Sequence, residues 1–388
     1  MAFTRILVIA AALAMTAGAD ASAQVRGVSE NEIVIGGSFP LTGNLASSGQ
    51  GHSLGIRVAI EDVNAHGGIN GRKLRLVLED DAYVPARTVQ NVHKLIDVDK
   101  IFALVGMSSS AGAFATLDYI TQTDTINVNG YIMNSAVWDT FRPTTFSVGQ
   151  GYPRLVEATV DYLNAHNAGL KWGVFVQDDA FGENIMAGIN KALANDKSSL
   201  VSAIKFKRGQ QDFSSEMLRM KSAGVTAIYV GGVFNEYLAI VREAKRLGMD
   251  VKFAFLYSAH NRLLQSLLGE IGQGYLVSDT VASVSEPVGQ AFIGTAKKYV
   301  SAKEVEGITR DSFTGYATAS VLIDALKRAG RDLSKDSMIG ALENTSNLEI
   351  GVMGPISLGK HARFSNQQVR VLMNDYSGGK FVALTPYH

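Results

Sequence analysis

The hydrophobic pattern changes period several times along this chain, and the stretch Ile33–Asp81 shows how. Ile33, Val34 and Ile35 form a β-branched run that stops at Gly36-Gly37, as a buried strand does. A loop without helical period follows, from Phe39 to Gly49. From His52 the apolar positions switch to a helical face carrying Leu54, Val58 and Val63, which ends at Gly67-Gly68. Leu74 to Leu78 alternates as a second strand and runs into Glu79-Asp80-Asp81. Strand, loop, helix, turn and strand make one βαβ unit of a parallel sheet. Ligands of such sheets sit beyond the carboxyl ends of the strands, so the Phe39–Ser48 loop and Asp80-Asp81 are predicted to face any site.

The same grammar continues. A helix beginning at Pro85 is followed by an apolar strand, Ile101–Val105, then by Ser108-Ser109-Ser110 and a helix over Ala113–Ile120. Thr125–Val128 and Thr145–Val148 read as further strands. A second βα array begins after Gly149, with strands at Trp172–Val176, Leu200–Phe206, Ala227–Val230, Phe253–Tyr257 and Tyr275–Asp279. Helices are predicted over Gln290–Ser301, Tyr316–Ala329 and Ser334–Glu343, with Ser334 as an N-cap. Val369–Asn374 and Phe381–Leu384 flank Gly378-Gly379 as a hairpin. The fold class is therefore α/β with parallel central sheets.

The first residues fall outside this pattern. A short basic start, an apolar core from Ile6 to Ala17 and Ala21-Ser22-Ala23 read as an export leader cleaved after Ala23. The remainder, from Gln24, is long enough for two domains with separate cores. The chain has no cysteine, which excludes disulfides, thiolate metal sites and a cysteine nucleophile. Its 36 basic and 36 acidic residues balance, so nothing favours a broad attraction to nucleic acid.

Catalytic and cofactor motifs are missing: there is no G-x-x-x-x-G-K-[ST], no G-x-S-x-G and no H-E-x-x-H, and the glycines after Ile35 do not complete G-x-G-x-x-G. The seven histidines are scattered. Two constellations remain. Ser108-Ser109-Ser110 lies between a buried strand and a helix, where hydroxyls and free amides suit a carboxylate; a plain helix cap is the alternative. Asp80-Asp81 and Asp178-Asp179 each follow a strand, which suits acid–base or metal work, or else capping and a solvated rim. Phe181, Phe234, Tyr237, Tyr257 and Trp138 lie in or beside strand-to-helix loops and either clamp a ligand or pack the lobes.

FPLTGNLASSGQ, followed by AIEDVNAHGGINGRKLRLVLEDD, resembles the start of the leucine/isoleucine/valine-type periplasmic binding proteins, the type I solute receptors of ATP-driven importers. The resemblance covers nearly the whole mature chain. It implies two Rossmann-like lobes joined by three hinge strands, which fall near Ser147, Asp279 and Gln368. The expected division is residues 24–147 with 280–366 in one lobe and 148–279 with 367–388 in the other. It further implies that Ser110 holds a ligand carboxylate, and it brings Ser48, Phe181 and Val233 to the cleft. The pattern of the amino-acid receptors is broken at three points. Tyr131 and Met133 stand where they have a small residue and a threonine, and Tyr257 stands where an acid holds the ligand ammonium. Asp311, aligned beside another cleft position, is the candidate replacement for that acid.

The expected protein is thus an exported, monomeric receptor for a small solute, partnered by a membrane permease, with no cofactor, metal or nucleic acid and no bond made or broken. Its preferred ligand is an amine-free apolar or aromatic carboxylate. A branched-chain amino acid is the alternative, followed by an exported α/β enzyme and a ligand-sensing domain.

Overall fold

The computed structural model describes residues 25–365 and 367–388, so the leader expected over residues 1–23 lies outside the described residues. The chain opens with β1 (Glu32–Phe39), α1 (Ala46–Ala65), β2 (Lys73–Asp80), α2 (Pro85–Asp97), β3 (Ala103–Met107), α3 (Ser110–Gln122), β4 (Ile126–Asn129), α4 (Ala136–Asp139) and β5 (Thr145–Ser147). These strands form a five-stranded sheet in the order β2-β1-β3-β4-β5, with every neighbour parallel. β1, β3 and β4 are buried on both faces apart from the first residue of β1, which is why they read as continuous apolar runs rather than alternating ones.

The chain then builds α5 (Tyr152–His166), β6 (Trp172–Gln177), α6 (Ala180–Ala192), β7 (Leu200–Phe206), α7 (Ser214–Ser222), β8 (Ala227–Gly231), α8 (Phe234–Arg246), β9 (Lys252–Phe255), α9 (Arg262–Leu268) and β10 (Leu276–Asp279). It returns to the first sheet for α10 (Pro287–Ala296), α11 (Ala302–Glu306), α12 (Arg310–Ala329) and α13 (Lys335–Glu343). Finally β11 (Arg370–Asp375) and β12 (Lys380–Ala383) add an antiparallel edge to the second sheet. That sheet runs β12-β11-β10-β9-β8-β6-β7. The chain passes between the sheets after Ser147, after Asp279 and between Phe364 and Arg370. One apolar core surrounds the first sheet and two cover the faces of the second.

The pairing of α1 with α12 holds the first lobe together. A Cβ on Gly55 would stand 1.9 Å from the Ser312 carbonyl oxygen, and one on Gly315 would stand 1.9 Å from that of His52. Two glycines thus let the helix backbones touch, and 14 of the residues of α12 are buried.

Helix starts differ from the hydrophobic pattern where polar caps decide. The helix predicted from Tyr316 begins at Arg310, because the Thr309 hydroxyl accepts the Asp311 amide and Ser312 completes a capping box. That polar first turn carries no apolar period. The helix expected over Gln290–Ser301 is displaced to Pro287–Ala296, with Pro287 in its first turn. The short helices α4, α9 and α11 have too few turns to show a face. Ser334 caps α13 as predicted.

Candidate functional site: the interlobe cleft

The carboxyl ends of the two parallel sheets face one another across a narrow cavity. From the first lobe it is lined by Leu45 and Ser48 at the start of α1, Tyr83 after β2, Ser108 and Ser110 at the β3–α3 junction, and Tyr131 after β4. From the second come Tyr152 of α5, Phe181 of α6, Val233 after β8, and Leu256, Tyr257 and Ser258 after β9. Parallel strands aim their helix-opening loops to one side, so α1, α3, α5, α6 and α8 all begin near this space.

The serine cluster divides its labour. Ser109 is the N-cap of α3, and its hydroxyl accepts the Gly112 amide at 2.9 Å. Capping therefore uses one serine only. The hydroxyls of Ser108 and Ser110 are buried without a hydrogen-bond partner, an arrangement that costs about 1–3 kcal/mol per group unless something fills it. Both lie on the cavity wall.

The aromatic side is layered. Tyr152 packs edge-on to Phe181 at 5.1 Å and parallel to Tyr257 at 6.3 Å. The Tyr131 hydroxyl donates to Ser48 Oγ at 3.0 Å, and the Tyr257 hydroxyl donates across the cleft to the Tyr131 carbonyl at 3.1 Å. Burial pushes the Tyr131 and Tyr257 phenols far above their ordinary range, and that of Tyr152 up to about 12. All three are neutral donors at pH 7. Tyr237, fully buried, supports Ser258 from behind through a 2.7 Å hydrogen bond.

Charge is kept beneath the wall. Arg310 donates to Asp279 twice, from Nη2 at 2.6 Å and Nε at 3.0 Å, and to Asp311 from Nη1 at 2.9 Å. Its guanidinium lies 4.4 Å from the centre of the Tyr257 ring. Burial by itself raises a carboxyl pKa; Arg310 and His260 overcome this at Asp279 and hold it well below the usual range. At Asp311, with one hydrogen bond from Arg310 instead of two, burial prevails and the pKa is raised.

Six of the eight residues singled out from the sequence therefore share one cavity: Ser48, Ser110, Tyr131, Phe181, Val233 and Tyr257. Met133 and Asp311 do not line it. Met133 belongs to the core of the second lobe and packs where a Cβ on Gly149 would stand 2.5 Å from its sulfur. Asp311 lies buried behind the wall, paired with Arg310. Trp138 is also absent from the cavity wall, being stacked on Phe364 at 4.0 Å, and Phe234 packs against the core of the second lobe. The paired aspartates shape loops. Asp80 accepts the amides of Leu41, Thr42 and Ala82, Asp81 accepts that of Tyr83, and Asp179 caps α6. Sequence reasoning missed Tyr83 and Tyr152 as wall residues. Among the described residues, no three His, Cys, Asp or Glu side chains are grouped to hold a metal ion.

Comparison with known proteins agrees with this architecture. The model of the periplasmic binding protein family matches residues 32–380. An amino acid binding protein of Pseudomonas aeruginosa is 26% identical over 293 residues, covering 75% of this chain and 76% of the relative. A branched-chain amino acid transporter protein of Thermus thermophilus, solved with bound valine, superposes with a TM-score of 0.83 at 18% identity, covering 93% of this chain and 97% of the other. A solute-binding protein of R. palustris, in complex with 4-hydroxybenzoate, gives 0.81 at 19% identity, covering 92% and 96%. The likeness spans both lobes and all three crossings, and the chain belongs to the periplasmic binding protein family.

Proposed function

We propose that this protein is the extracytoplasmic receptor of an ABC importer and that its solute is an amine-free carboxylate with an aromatic or apolar body. The observation that carries the reading is the composition of the cavity wall: hydroxyls, aromatic rings and aliphatic side chains, with no acidic side chain among them. A primary ammonium buried there without an anionic or fully hydrogen-bonded partner would cost several kcal/mol, on the order of a lost buried ion pair. A carboxylate, by contrast, meets the unpartnered hydroxyls of Ser108 and Ser110 at the start of α3. Phe181, Tyr152, Tyr257 and Leu45 supply apolar surface for the remainder of the ligand. The fold carries both kinds of ligand, since the Thermus thermophilus structure holds valine and the R. palustris structure holds 4-hydroxybenzoate. Wall chemistry, not fold, makes the choice.

In this reading the leader, cleaved after Ala23, delivers a monomer to the periplasm. Residues 24–147 with 280–366 form one lobe, and 148–279 with 367–388 form the other. Solute binds one lobe and hinge rotation buries it against the second, to the extent that it prefers the closed form. The closed receptor then docks on the membrane permease.

Two specific observations bear on the alternatives. Glu236, fully buried at the start of α8 and three residues from the wall residue Val233, has one carboxylate oxygen without a partner. It does not line the cavity, and burial raises its pKa, which favours the uncharged form. His260 stands between Asp279 at 2.8 Å and Ser283 at 3.1 Å, in the order of a hydrolytic triad. Asp279 is already engaged by two hydrogen bonds from Arg310 and by the amides of Thr280 and Val281, and neither His260 nor Ser283 lines the interlobe cavity. Mass spectrometry of solute released by unfolding freshly purified protein tests the reading. An unmodified aromatic or aliphatic carboxylate is expected; a branched-chain amino acid would contradict it.

A further inference from the structure

Tyr83 belongs at once to the cavity wall and to the contact between the lobes. It follows β2 in an unusual backbone, with φ of 48° at Ala82 and 63° at Tyr83. Bulky L-residues avoid this left-handed region unless their surroundings hold them there. Two carboxylates do so. Asp80 accepts the Ala82 amide and Asp81 the Tyr83 amide, each at 2.9 Å. Asp81 is itself fixed by the hydroxyls of Ser38 and Thr88, at 2.9 and 3.2 Å.

The side chain presented in this way is 7% exposed and meets the second lobe at several points. The guanidinium of Arg208 lies over its ring, 4.0 Å from the centre. Arg208 Nη1 donates to the Tyr83 carbonyl at 3.1 Å, and Gln177 Nε2 donates to its hydroxyl at 3.4 Å. Arg208 is oriented in turn by Asp179 at 2.5 Å. Because the Tyr83 hydroxyl accepts from Gln177, its own proton is left for an acceptor, and burial keeps that proton in place by raising the pKa.

We propose that Tyr83 is the latch coupling solute occupancy to lobe closure, with Arg208 as its positioning residue and an acceptor oxygen of the solute as its third contact. The proposal rests on the receptor reading above and names the side chain through which that reading operates. A solute that orders Tyr83 from inside the cavity also orders the surface that Arg208 and Gln177 grip, so occupancy and closure favour each other. Arg208 lies outside the cavity wall, which separates the grip from direct solute contact.

The chain has no cysteine, so an introduced pair reports lobe separation without background. Ala86→Cys on α2 and Ala187→Cys on α6 are both exposed and can carry spin labels for double electron–electron resonance. Ligand-free protein is expected to show a short-distance, closed population that falls about threefold or more in Arg208→Ala and in Tyr83→Gly. Tyr83→Gly relieves the left-handed backbone but also removes a buried ring, so its thermal midpoint is expected to fall, whereas Arg208→Ala, which removes no core side chain, is expected to lose closure with a far smaller change in midpoint, a combination that a purely structural role would not produce. With 4-hydroxybenzoate as probe, Arg208→Ala is expected to bind about tenfold more weakly through faster dissociation. The latch is overturned if ligand-free parent protein has no closed population, or if both variants keep the parent's distribution. If the distances behave as expected but 4-hydroxybenzoate, benzoate and a branched aliphatic carboxylate all fail to bind the parent, the amine-free carboxylate reading falls and the latch stands.

Discussion

Arg310 lies beneath Tyr257, with its guanidinium 4.4 Å from the ring centre, so the cation that neutralises Asp279 and Asp311 also supports the floor of the cleft. Arg310 is 3% exposed, as is Asp311, and Asp279 is fully buried. The network is therefore demanding, because removing the guanidinium takes its hydrogen bonds from two buried carboxylates and leaves Asp279 with His260 and the amides of Thr280 and Val281. Arg310→Met is expected to cost about 3–5 kcal/mol of stability. Tyr257→Leu, which removes the ring contacts with Arg310 and Tyr152 and one hydrogen bond, should cost no more than about 2–3 kcal/mol. Urea unfolding of both variants, read by circular dichroism, checks the ranking.

His52 predicts a pH dependence. It is fully buried between Phe39 and Tyr131, with Nδ1 at 3.2 Å from the Thr314 hydroxyl and Nε2 without a partner. Burial, reinforced by Arg310, lowers its pKa from the ordinary 6.5 to about 3. Between those values the unfolded chain binds a proton that the folded protein does not. The contribution of His52 is therefore complete above pH 6.5 and lost progressively as pH falls towards 3, at up to about 1.4 kcal/mol per pH unit. His52→Gln should flatten this part of the profile. The check is the difference between parent and variant urea midpoints across pH 7 to 4.

Close approach of α1 and α12 leaves no room for a methyl group. Gly55→Ala and Gly315→Ala each place a Cβ 1.9 Å from a carbonyl oxygen of the facing helix. Each is expected to lower stability by about 1–3 kcal/mol through forced separation of the helices. Gly340→Ala, where an added Cβ meets nothing within 4 Å, serves as the control and should be neutral or stabilising. Thermal midpoints decide it.

Much of this architecture was legible in the sequence because buried parallel strands and amphipathic helices carry opposite periods. Ile33–Ile35 and Ile101–Val105 could be read directly as strands, and Ser110 could be placed where a strand ends and a helix begins. Information that depends on distant partners was not legible. Tyr83 gains its position from two left-handed residues and from Arg208, 125 residues away. Asp311 was visible as an acid near the cleft, but its pairing with the neighbouring Arg310 behind the wall was not. Met133 is two residues from Tyr131, yet the irregular segment after β4 sends one side chain into the cavity and the other into the second core.

The serine pair gives a prediction of its own. Ser109 already caps α3, so Ser108 and Ser110 are free to serve the solute. Loss of one hydrogen bond to a charged acceptor costs about 1.5–3 kcal/mol. Ser110→Ala should therefore weaken binding of a carboxylate probe about ten- to a hundred-fold while leaving the unfolding midpoint unchanged or higher. Ser109→Ala should do the reverse, losing about 1 kcal/mol of stability with little direct effect on the solute. Paired calorimetry and thermal melts separate the two roles.

In the function proposed above, the cleft takes a carboxylate without an amine. Isothermal titration calorimetry of ligand-stripped protein against benzoate, 4-hydroxybenzoate, a branched aliphatic carboxylate, leucine, isoleucine and valine tests it most directly. A dissociation constant of about 1 μM or tighter, roughly −8 kcal/mol, is expected for at least one amine-free carboxylate, and no heat from the three amino acids. Micromolar binding of leucine, isoleucine or valine, with the carboxylates silent, would contradict it.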